Sequence, residues 1–346
     1  MSQETRRMPY VRLGNSGLKV SKIILGTMQY GDKEWQEWLL DEAQAIEHIK
    51  FAYEHGINTF DTADAYSNGL SEKILGKAIK QLHLPREEIV VMTKTYFPWG
   101  PDVSVSAIRQ GVNADELGLV NQWGLSRKHI FDSVKGSLER LQLDYIDVLQ
   151  CHRFDYNTPI EETMQALHDV VKAGWVRYIG MSSCFAYQFA AMQNYAINNR
   201  LTPFVSMQNH YNLIYREEER EMFPALKMFG VGSVPWSPLA RGLVTRPLSE
   251  QSKRGETDGF IARYKSGNMP EIIRRIEEIA KKRDISMAQV NIAWILSKEG
   301  VTAPIVGTTN LDNLKDIIAG VHVKLTEEEI KYLGEPYQPL NILGHS

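Results

Sequence analysis

Four ionisable side chains stand just beyond short apolar segments of the chain. Asp61 follows INTF and begins the segment DTADAY, which ends at Tyr66. Lys94 follows IVVMT, and His152 follows IDVLQC. A tyrosine with a pKa of about 10 is a poor acid at neutral pH, but a lysine cation stabilises its phenolate, and a paired carboxylate keeps that lysine charged. The phenol could then protonate an oxygen that gains negative charge while the histidine orients it, so these residue types predict proton transfer.

An alternation of short apolar runs and amphipathic helix patterns extends along the chain. KIILGTM (22–28) predicts a strand, and AQAIEHIKFAYEHG (43–56) predicts a helix that ends at Gly56. The next helix is predicted at SEKILGKAIKQL (71–82), with Ser71 as its N-cap. Eight such strand-then-helix units indicate parallel strands joined by crossover helices. We therefore predict an α/β fold of the (β/α)8 TIM-barrel type.

Two segments flank the predicted barrel. YVRLGNSGLKVS (10–21) predicts an N-terminal β-hairpin. TEEEIKYLGEPYQPLNILGHS (326–346) predicts a C-terminal helix followed by a tail. No linker or change of composition divides the chain, so residues 1–346 are predicted to form a single domain.

The barrel gives the four ionisable residues a common location. Function in such barrels is found at the C-terminal ends of the strands and in the loops that follow them, which is where Asp61, Tyr66, Lys94 and His152 fall. A lysine after a buried strand needs a partner, and Asp61 could provide it. Taken singly, His152 could be a core histidine and Asp61 a helix cap. Asp64 is interpreted as a structural residue at the helix entry.

Composition argues against several classes of function. The 346 residues include 39 basic and 42 acidic ones, well mixed along the chain. The sequence has no basic stripe interleaved with aromatic residues, so no nucleic-acid partner is predicted. Two cysteines are too few for a disulfide framework or a thiolate zinc site. No apolar run approaches the roughly 20 residues of a membrane span, and MSQETRRMPY lacks the apolar core of a secretory signal. A cytoplasmic protein without a membrane partner is expected.

Four motifs resemble the aldo-keto reductase family. They are INTFDTADAYSNGLSEKILGKAI, VVMTK, IDVLQCHR and VPWSPLARG, and the similarity runs from LGNSGLKVSKIILGTM to APIVGTTNLDNLKD. The chain looks most like the short-loop microbial and fungal branch, which is also similar to potassium-channel beta subunits. The resemblance implies an NADPH-dependent reductase of aldehydes and ketones, of alcohol dehydrogenase or carbonyl reductase type. It assigns Tyr66 as general acid in reduction and base in oxidation, tuned by Lys94 and Asp61, with His152 orienting the carbonyl.

The resemblance also implies where NADPH is held, although the Gly-x-Gly-x-x-Gly turn of other dinucleotide sites is missing. Ser182 and Gln208 would bind the nicotinamide amide, and Trp236 would stack on the ring. Ser183 stands where many relatives carry asparagine, and Arg254 (or Lys253) is expected to clasp the 2′-phosphate because Asn313 is uncharged. The implied cofactor residues are Thr27, Met28, Asp61, Ser182, Gln208, Trp236, Ser237, Leu239, Gly242, Arg254, Gly307, Thr309, Asn313 and Asp316.

The substrate pocket is predicted from aromatic residues. Tyr30, Trp99 and Trp123, with the tail near NILGH, could form a wall that accepts aromatic or hydrophobic aldehydes and ketones. Alternatively, Trp99 and Trp123 only hold their own loop in place. The small-molecule carbonyl substrate is the expected partner of a monomer or weak homo-oligomer.

Two other functions are compatible with parts of this pattern. A redox-sensing or regulatory subunit would bind NADPH and keep the same four residues but turn over slowly. A barrel metal hydrolase is disfavoured because the chain offers no His-x-His pair on a strand, and Lys94 would repel a metal near His152. No metal is therefore predicted.

Overall fold

Eight short parallel strands form the central sheet of the computed structural model, which describes residues 8–98, 115–250, 255, 258–264 and 267–345. The strands are β3 (Ile24–Gly26), β4 (Thr59–Asp61), β5 (Val90–Thr95), β6 (Ile146–Cys151), β7 (Val176–Ser182), β8 (Phe204–Gln208), β9 (Gly232–Ser233) and β10 (Ile305–Val306). Their spatial order is β10-β3-β4-β5-β6-β7-β8-β9, and all neighbours pair in parallel.

Hydrogen bonds between the first and last strands of this order close the sheet. The amide of Thr302 donates to the carbonyl of Ser233 at 2.8 Å, and the amide of Ile305 donates to the carbonyl of Pro235 at 2.8 Å. A parallel bridge joins Ser233 to Val301. The predicted (β/α)8 barrel is confirmed.

Helices follow the strands and cover the outside of the barrel. They are α1 (Glu42–Glu54), α2 (Leu70–Gln81), α3 (Arg127–Leu141), α4 (Ile160–Lys172), α5 (Ala186–Asn198), α6 (Met222–Phe229), α7 (Met269–Arg283), α8 (Met287–Leu296), α9 (Leu311–Gly320) and α10 (Glu327–Gly334). Polar caps fix several starts, such as Asp41, whose side chain accepts from the amide of Gln44. No helix in the described ranges is both long and apolar enough to cross a membrane.

The start of α2 differs from the prediction. The helix begins at Leu70 after the left-handed Gly69, not after Ser71. The hydroxyl of Ser71 is buried and donates to the carbonyl of Thr27 at 2.9 Å. Ser71 therefore joins the helix to the end of the first barrel strand instead of capping it.

The predicted N-terminal hairpin is confirmed and covers one end of the barrel. β1 (Tyr10–Arg12) pairs antiparallel with β2 (Lys19–Ser21). Leu13 and Val20 are fully buried in the same apolar cluster as Ile24, Val90 and Val148 of the barrel strands. Because β2 leads directly into β3, the hairpin lies at the N-terminal end of the strands and leaves the opposite rim open.

Candidate active site

Asp61, Tyr66 and Lys94 meet at the C-terminal rim. Asp61 is the last residue of β4, and Lys94 is the penultimate residue of β5. The Lys94 Nζ lies 2.6 Å from Asp61 Oδ1 and 3.2 Å from the Tyr66 hydroxyl, and it donates to the carbonyl of Thr62 at 2.7 Å. The Lys94 side chain is fully buried. This ammonium is therefore satisfied by three oxygen atoms, one of which is the phenol.

The second oxygen of Asp61 is also occupied. Its Oδ2 accepts from Gln150 Nε2 at 2.9 Å and from Gln208 Nε2 at 2.8 Å. Gln208 Nε2 also donates to Gln150 Oε1 at 2.9 Å. Gln150 was not predicted from the sequence. The feature of the sequence that could have identified Gln150 is its position, as a polar residue on the buried strand β6, two positions before His152.

The pKa directions in this cluster correct one expectation. Burial lowers the pKa of Lys94, but the charges and hydrogen bonds of Asp61 and Tyr66 outweigh burial, so the pKa lies above its ordinary value. Burial raises the pKa of Tyr66 more than the charge of Lys94 lowers it. From the sequence, the lysine cation was expected to lower the pKa of this phenol by stabilising its phenolate. That expectation is wrong in net direction, and the phenol holds its proton at neutral pH.

His152 completes the group and is uncharged. It follows β6, and its ring packs edge-to-face on Tyr66 with the centroids 5.8 Å apart. Burial, then the charges of Arg153 and Lys94, lower the pKa of His152 well below its usual value. Its Nδ1 has no hydrogen-bond partner within the described ranges. A neutral imidazole at this place can donate one N–H to an oxygen that enters the cavity.

The loop after Tyr66 has an unusual backbone. Ser67 (φ 46°), Asn68 (φ 48°) and Gly69 (φ 81°) are consecutive left-handed residues, a conformation that non-glycine residues rarely adopt. Gly31 approaches this turn so closely that a Cβ there would lie 2.0 Å from the Ser67 hydroxyl oxygen. The phenol is thus held by a tight turn and not by a strand.

One cavity of about 1340 Å³ opens beside these residues. Asp61, Tyr66 and His152 line it, and it extends along the rim past Trp236 to the start of α9. Most of the predicted cofactor residues line the same cavity: Met28, Asp61, Ser182, Gln208, Trp236, Ser237, Leu239, Gly242, Gly307, Thr309, Asn313 and Asp316.

Two of the predicted cofactor residues stand differently from the others. Thr27 is fully buried and does not line the cavity, because its hydroxyl is 2.8 Å from that of Ser71 and also donates to the carbonyl of Asp61. Its placement does not support a cofactor contact. Arg254 lies outside the described residues.

Trp236 is held between an aromatic stack and a hydroxyl. Its ring is parallel to that of His210 at a centroid distance of 4.0 Å, and His210 stacks in turn on Tyr215 at 4.2 Å. The indole N–H donates to the Ser183 hydroxyl at 2.9 Å. The Nε2 of His210 is 2.6 Å from the Tyr264 hydroxyl. These contacts fix the plane of the indole ring.

Basic side chains line the stretch of cavity beyond Trp236. Arg241, Arg246 and Arg263 all face it, and Arg241 pairs with Asp258. Arg246 has no ion pair with any described residue, and its Nε is buried without a partner. None of these arginines was predicted as a site residue, although Arg241 lies within the recognised motif VPWSPLARG and Arg246 follows it closely.

Aromatic residues surround the part of the cavity nearest Tyr66. Trp123, one of the residues expected in the substrate wall, lines the cavity there, together with Tyr96 and Phe97. Trp35 and Trp38 also line it but were not predicted, and the Trp35 ring lies 6.4 Å from that of Tyr66.

The other two residues predicted for this wall are Tyr30 and Trp99. Tyr30 is fully buried and packs on His48 of α1 with ring centroids 5.9 Å apart, outside the cavity. The sequence pattern did not reveal that this side chain turns toward the helix layer. Trp99 lies outside the described residues.

The C-terminal tail forms part of the cavity wall. Ile342 and His345 line the cavity. The amide of Leu343 donates to the Tyr215 hydroxyl at 2.9 Å, and His345 Nε2 lies 3.1 Å from Glu218 Oε1. The tail is therefore fastened beside the aromatic stack that supports Trp236.

Comparisons with known proteins agree with this geometry. The family model described as "Aldo/keto reductase family" matches residues 22–337. The chain is 50% identical over 344 residues to a Schizosaccharomyces pombe protein whose name is that of an aryl-alcohol dehydrogenase, with 97% of each chain covered. It is 50% identical over 337 residues to versiconal hemiacetal acetate reductase of Aspergillus parasiticus, covering 96% of this chain and 98% of that protein. The chain belongs to the aldo/keto reductase family.

Proposed function

We propose that this oxidoreductase uses NADPH to reduce aldehydes and ketones, preferably aromatic or hydrophobic ones, to alcohols, with Tyr66 as the proton donor. The observation that carries the proposal is the contact of 3.2 Å between the Tyr66 hydroxyl and the buried Lys94 ammonium. Bound reduced nicotinamide would supply a hydride to the carbonyl carbon. A proton must then reach the carbonyl oxygen, and Tyr66 is the protonated group that lines the cavity beside a cation.

The surrounding residues give Tyr66 this role. Its raised pKa keeps the proton on the phenol until a basic oxygen develops. Lys94 then stabilises the phenolate that is left, and Asp61 holds the ammonium in place at 2.6 Å. The neutral imidazole of His152 can donate a hydrogen bond to the same carbonyl oxygen. In alcohol oxidation the phenolate would act as the base.

The cavity fits an extended dinucleotide. Trp236 offers a fixed aromatic plane for the nicotinamide, since one of its faces is already packed on His210. Both hydrogens of the Gln208 amide nitrogen are taken by Asp61 and Gln150, so its oxygen is the atom left to accept from a carboxamide. Arg246, unpaired among the described residues, suits a phosphate.

The preference for NADPH over NADH rests on charge. A 2′-phosphate adds negative charge at the adenosine end, where Thr309 and Asn313 are exposed and uncharged. The resemblance assigns the binding of this 2′-phosphate to Arg254 (or Lys253). Three expectations stay predictions: that the chain is a single domain, that it is cytoplasmic, and that it acts as a monomer or weak homo-oligomer.

The test is steady-state reduction of benzaldehyde with both nicotinamides by the purified protein and its Tyr66→Phe variant. Loss of the proton donor should lower kcat by at least ~10²-fold and leave NADPH binding, measured by fluorescence titration, nearly unchanged. Tyr30→Phe is the matched control, because that hydroxyl is buried away from the cavity. Wild-type turnover by Tyr66→Phe would refute the assignment. Tight NADPH binding with only slow turnover by the wild type would favour a sensing subunit.

A further inference from the structure

Arg153 places a second cation at the reaction end of the cavity. It follows His152 directly, lines the cavity, and donates from Nη1 to the carbonyl oxygen of His152 at 2.5 Å. Its guanidinium carbon lies 5.7 Å from the centroid of the Phe97 ring. The same ring packs on the His152 imidazole at 5.0 Å. The guanidinium and the imidazole thus both pack near the Phe97 ring.

No acid neutralises this guanidinium within the part of the chain that the structure describes. The nearest carboxylate in sequence, Asp155, is committed elsewhere. Its Oδ2 accepts from the Leu125 amide and the Thr158 hydroxyl at 2.7 Å, and its Oδ1 accepts from the Asn157 amide at 2.9 Å. Burial lowers the pKa of Arg153 to about 10. The groups that oppose burial are phenols and a thiol, not carboxylates.

Three other arginines that are largely withdrawn from solvent are each paired with an acid. Carboxylates contact Arg86, Arg140 and Arg216 at 2.6 to 2.7 Å. A cation removed from water without an anion is costly, so such groups are normally paired. Arg153 is partly buried and faces the cavity, and its Nε and Nη2 have no acceptor among the described residues. An anion arriving with the substrate would supply the missing charge.

We propose that Arg153 is a specificity residue that binds a carboxylate of the substrate, so that the preferred substrates are aromatic carbonyl compounds carrying a carboxylate group. This inference rests on the proposed reductase function. The planar guanidinium can engage both oxygens of a carboxylate. The aromatic part of the substrate would lie against Phe97 and Trp123, whose ring centroids are 6.0 Å apart.

The experiment compares kcat/KM for benzaldehyde, 3-carboxybenzaldehyde, 4-carboxybenzaldehyde and phenylglyoxylate, which vary the separation between carboxylate and carbonyl. A hydrogen bond to a charged group contributes about 1.5–3 kcal/mol, so at least one carboxylated compound should exceed benzaldehyde by about 10-fold or more. Arg153→Met should remove that advantage, mainly through KM, while benzaldehyde reduction stays within about 3-fold of wild type. Arg153→Lys should retain part of the advantage because it keeps the charge.

Arg177→Met is the matched control, because Arg177 is exposed at the start of β7 and does not line the cavity. Equal kcat/KM for neutral and carboxylated compounds would overturn the inference while leaving the reductase function intact. A loss in Arg153→Met that is the same for all compounds would also overturn it, since the residue would then act through Tyr66 or His152. If the wild type reduces none of the compounds, the reductase function itself fails. NADPH titration and thermal unfolding of each variant show that it is folded.

Discussion

Asp64 gives a stability prediction that depends on pH. This side chain is 1% exposed and lies in the same loop as Tyr66, two residues before it. Its Oδ2 accepts from the Ser133 hydroxyl at 2.9 Å, while its Oδ1 has no partner among the described residues. Burial, then the charge of Glu72, raise the pKa of Asp64 from 3.8 to about 7, against the opposing effect of Arg140. The folded protein therefore holds this proton more tightly than the unfolded chain does.

The sign and size follow from linkage. A raised carboxyl pKa contributes stability that is fully present below pH 3.8 and is lost as the pH rises through about 7. One pKa unit corresponds to ~1.36 kcal/mol, so the full loss is about 4 kcal/mol. Between pH 5 and pH 8 the loss is about 2–3 kcal/mol. Asp64→Asn removes the titration, keeps the shape, and leaves an acceptor for Ser133.

Urea unfolding at pH 5 and pH 8 measures the effect. The free energy of unfolding of Asp64→Asn, minus that of the wild type, should be about 2–3 kcal/mol larger at pH 8 than at pH 5, because only the wild type loses stability over this range. The unpaired amide of the new side chain costs the same at both pH values and cancels in this comparison. Asp132→Asn, at an exposed position of α3, is the matched control. The same relative stability of Asp64→Asn at both pH values would show that Arg140 keeps the carboxylate charged, and the reasoning would be refuted.

Two further predictions concern buried contacts near the site. Arg140→Met should lower the free energy of unfolding by about 3–5 kcal/mol, because it leaves the fully buried Glu72 carboxylate without its cation; unchanged urea midpoints would contradict this. His210→Ala should weaken NADPH binding about 3- to 10-fold in a fluorescence titration, because Trp236 loses the ring on which it stacks. His210→Phe keeps a ring there and should bind NADPH almost as wild type, and equal losses in both variants would argue against the stacking role.

The sequence predicted the residues that end strands better than those in loops. Asp61, Lys94 and His152 follow apolar runs, and a parallel barrel necessarily brings such positions to one rim. Tyr30 lies in an irregular segment without periodicity, so nothing in the pattern showed that its side chain turns toward α1. Trp35, in the same segment, reaches the cavity and was missed for the same reason.

The electrostatics of the site could be predicted only in part from the sequence. The neighbourhood of Lys94 and Tyr66 was predictable, but the net pKa direction of the phenol depends on how deeply the fold buries it. Gln150 could not be distinguished from an ordinary strand residue until its contact with Asp61 was seen. Likewise, the lack of a carboxylate beside Arg153 is a property of three-dimensional packing.

The carboxylate of Asp61 joins side chains from four barrel strands, because it lies on β4 and contacts Lys94, Gln150 and Gln208 of β5, β6 and β8. Neutralising it would disturb the ammonium beside the phenol and the glutamine proposed for the nicotinamide amide together. An inactive variant suited to trapping a ternary complex is therefore better made by changing Tyr66, because its side chain does not link several barrel strands as that of Asp61 does. Substrate scope can be engineered more freely at the tryptophan-rich side of the opening, because substitutions there leave the contacts of Asp61 with the other three strands unchanged.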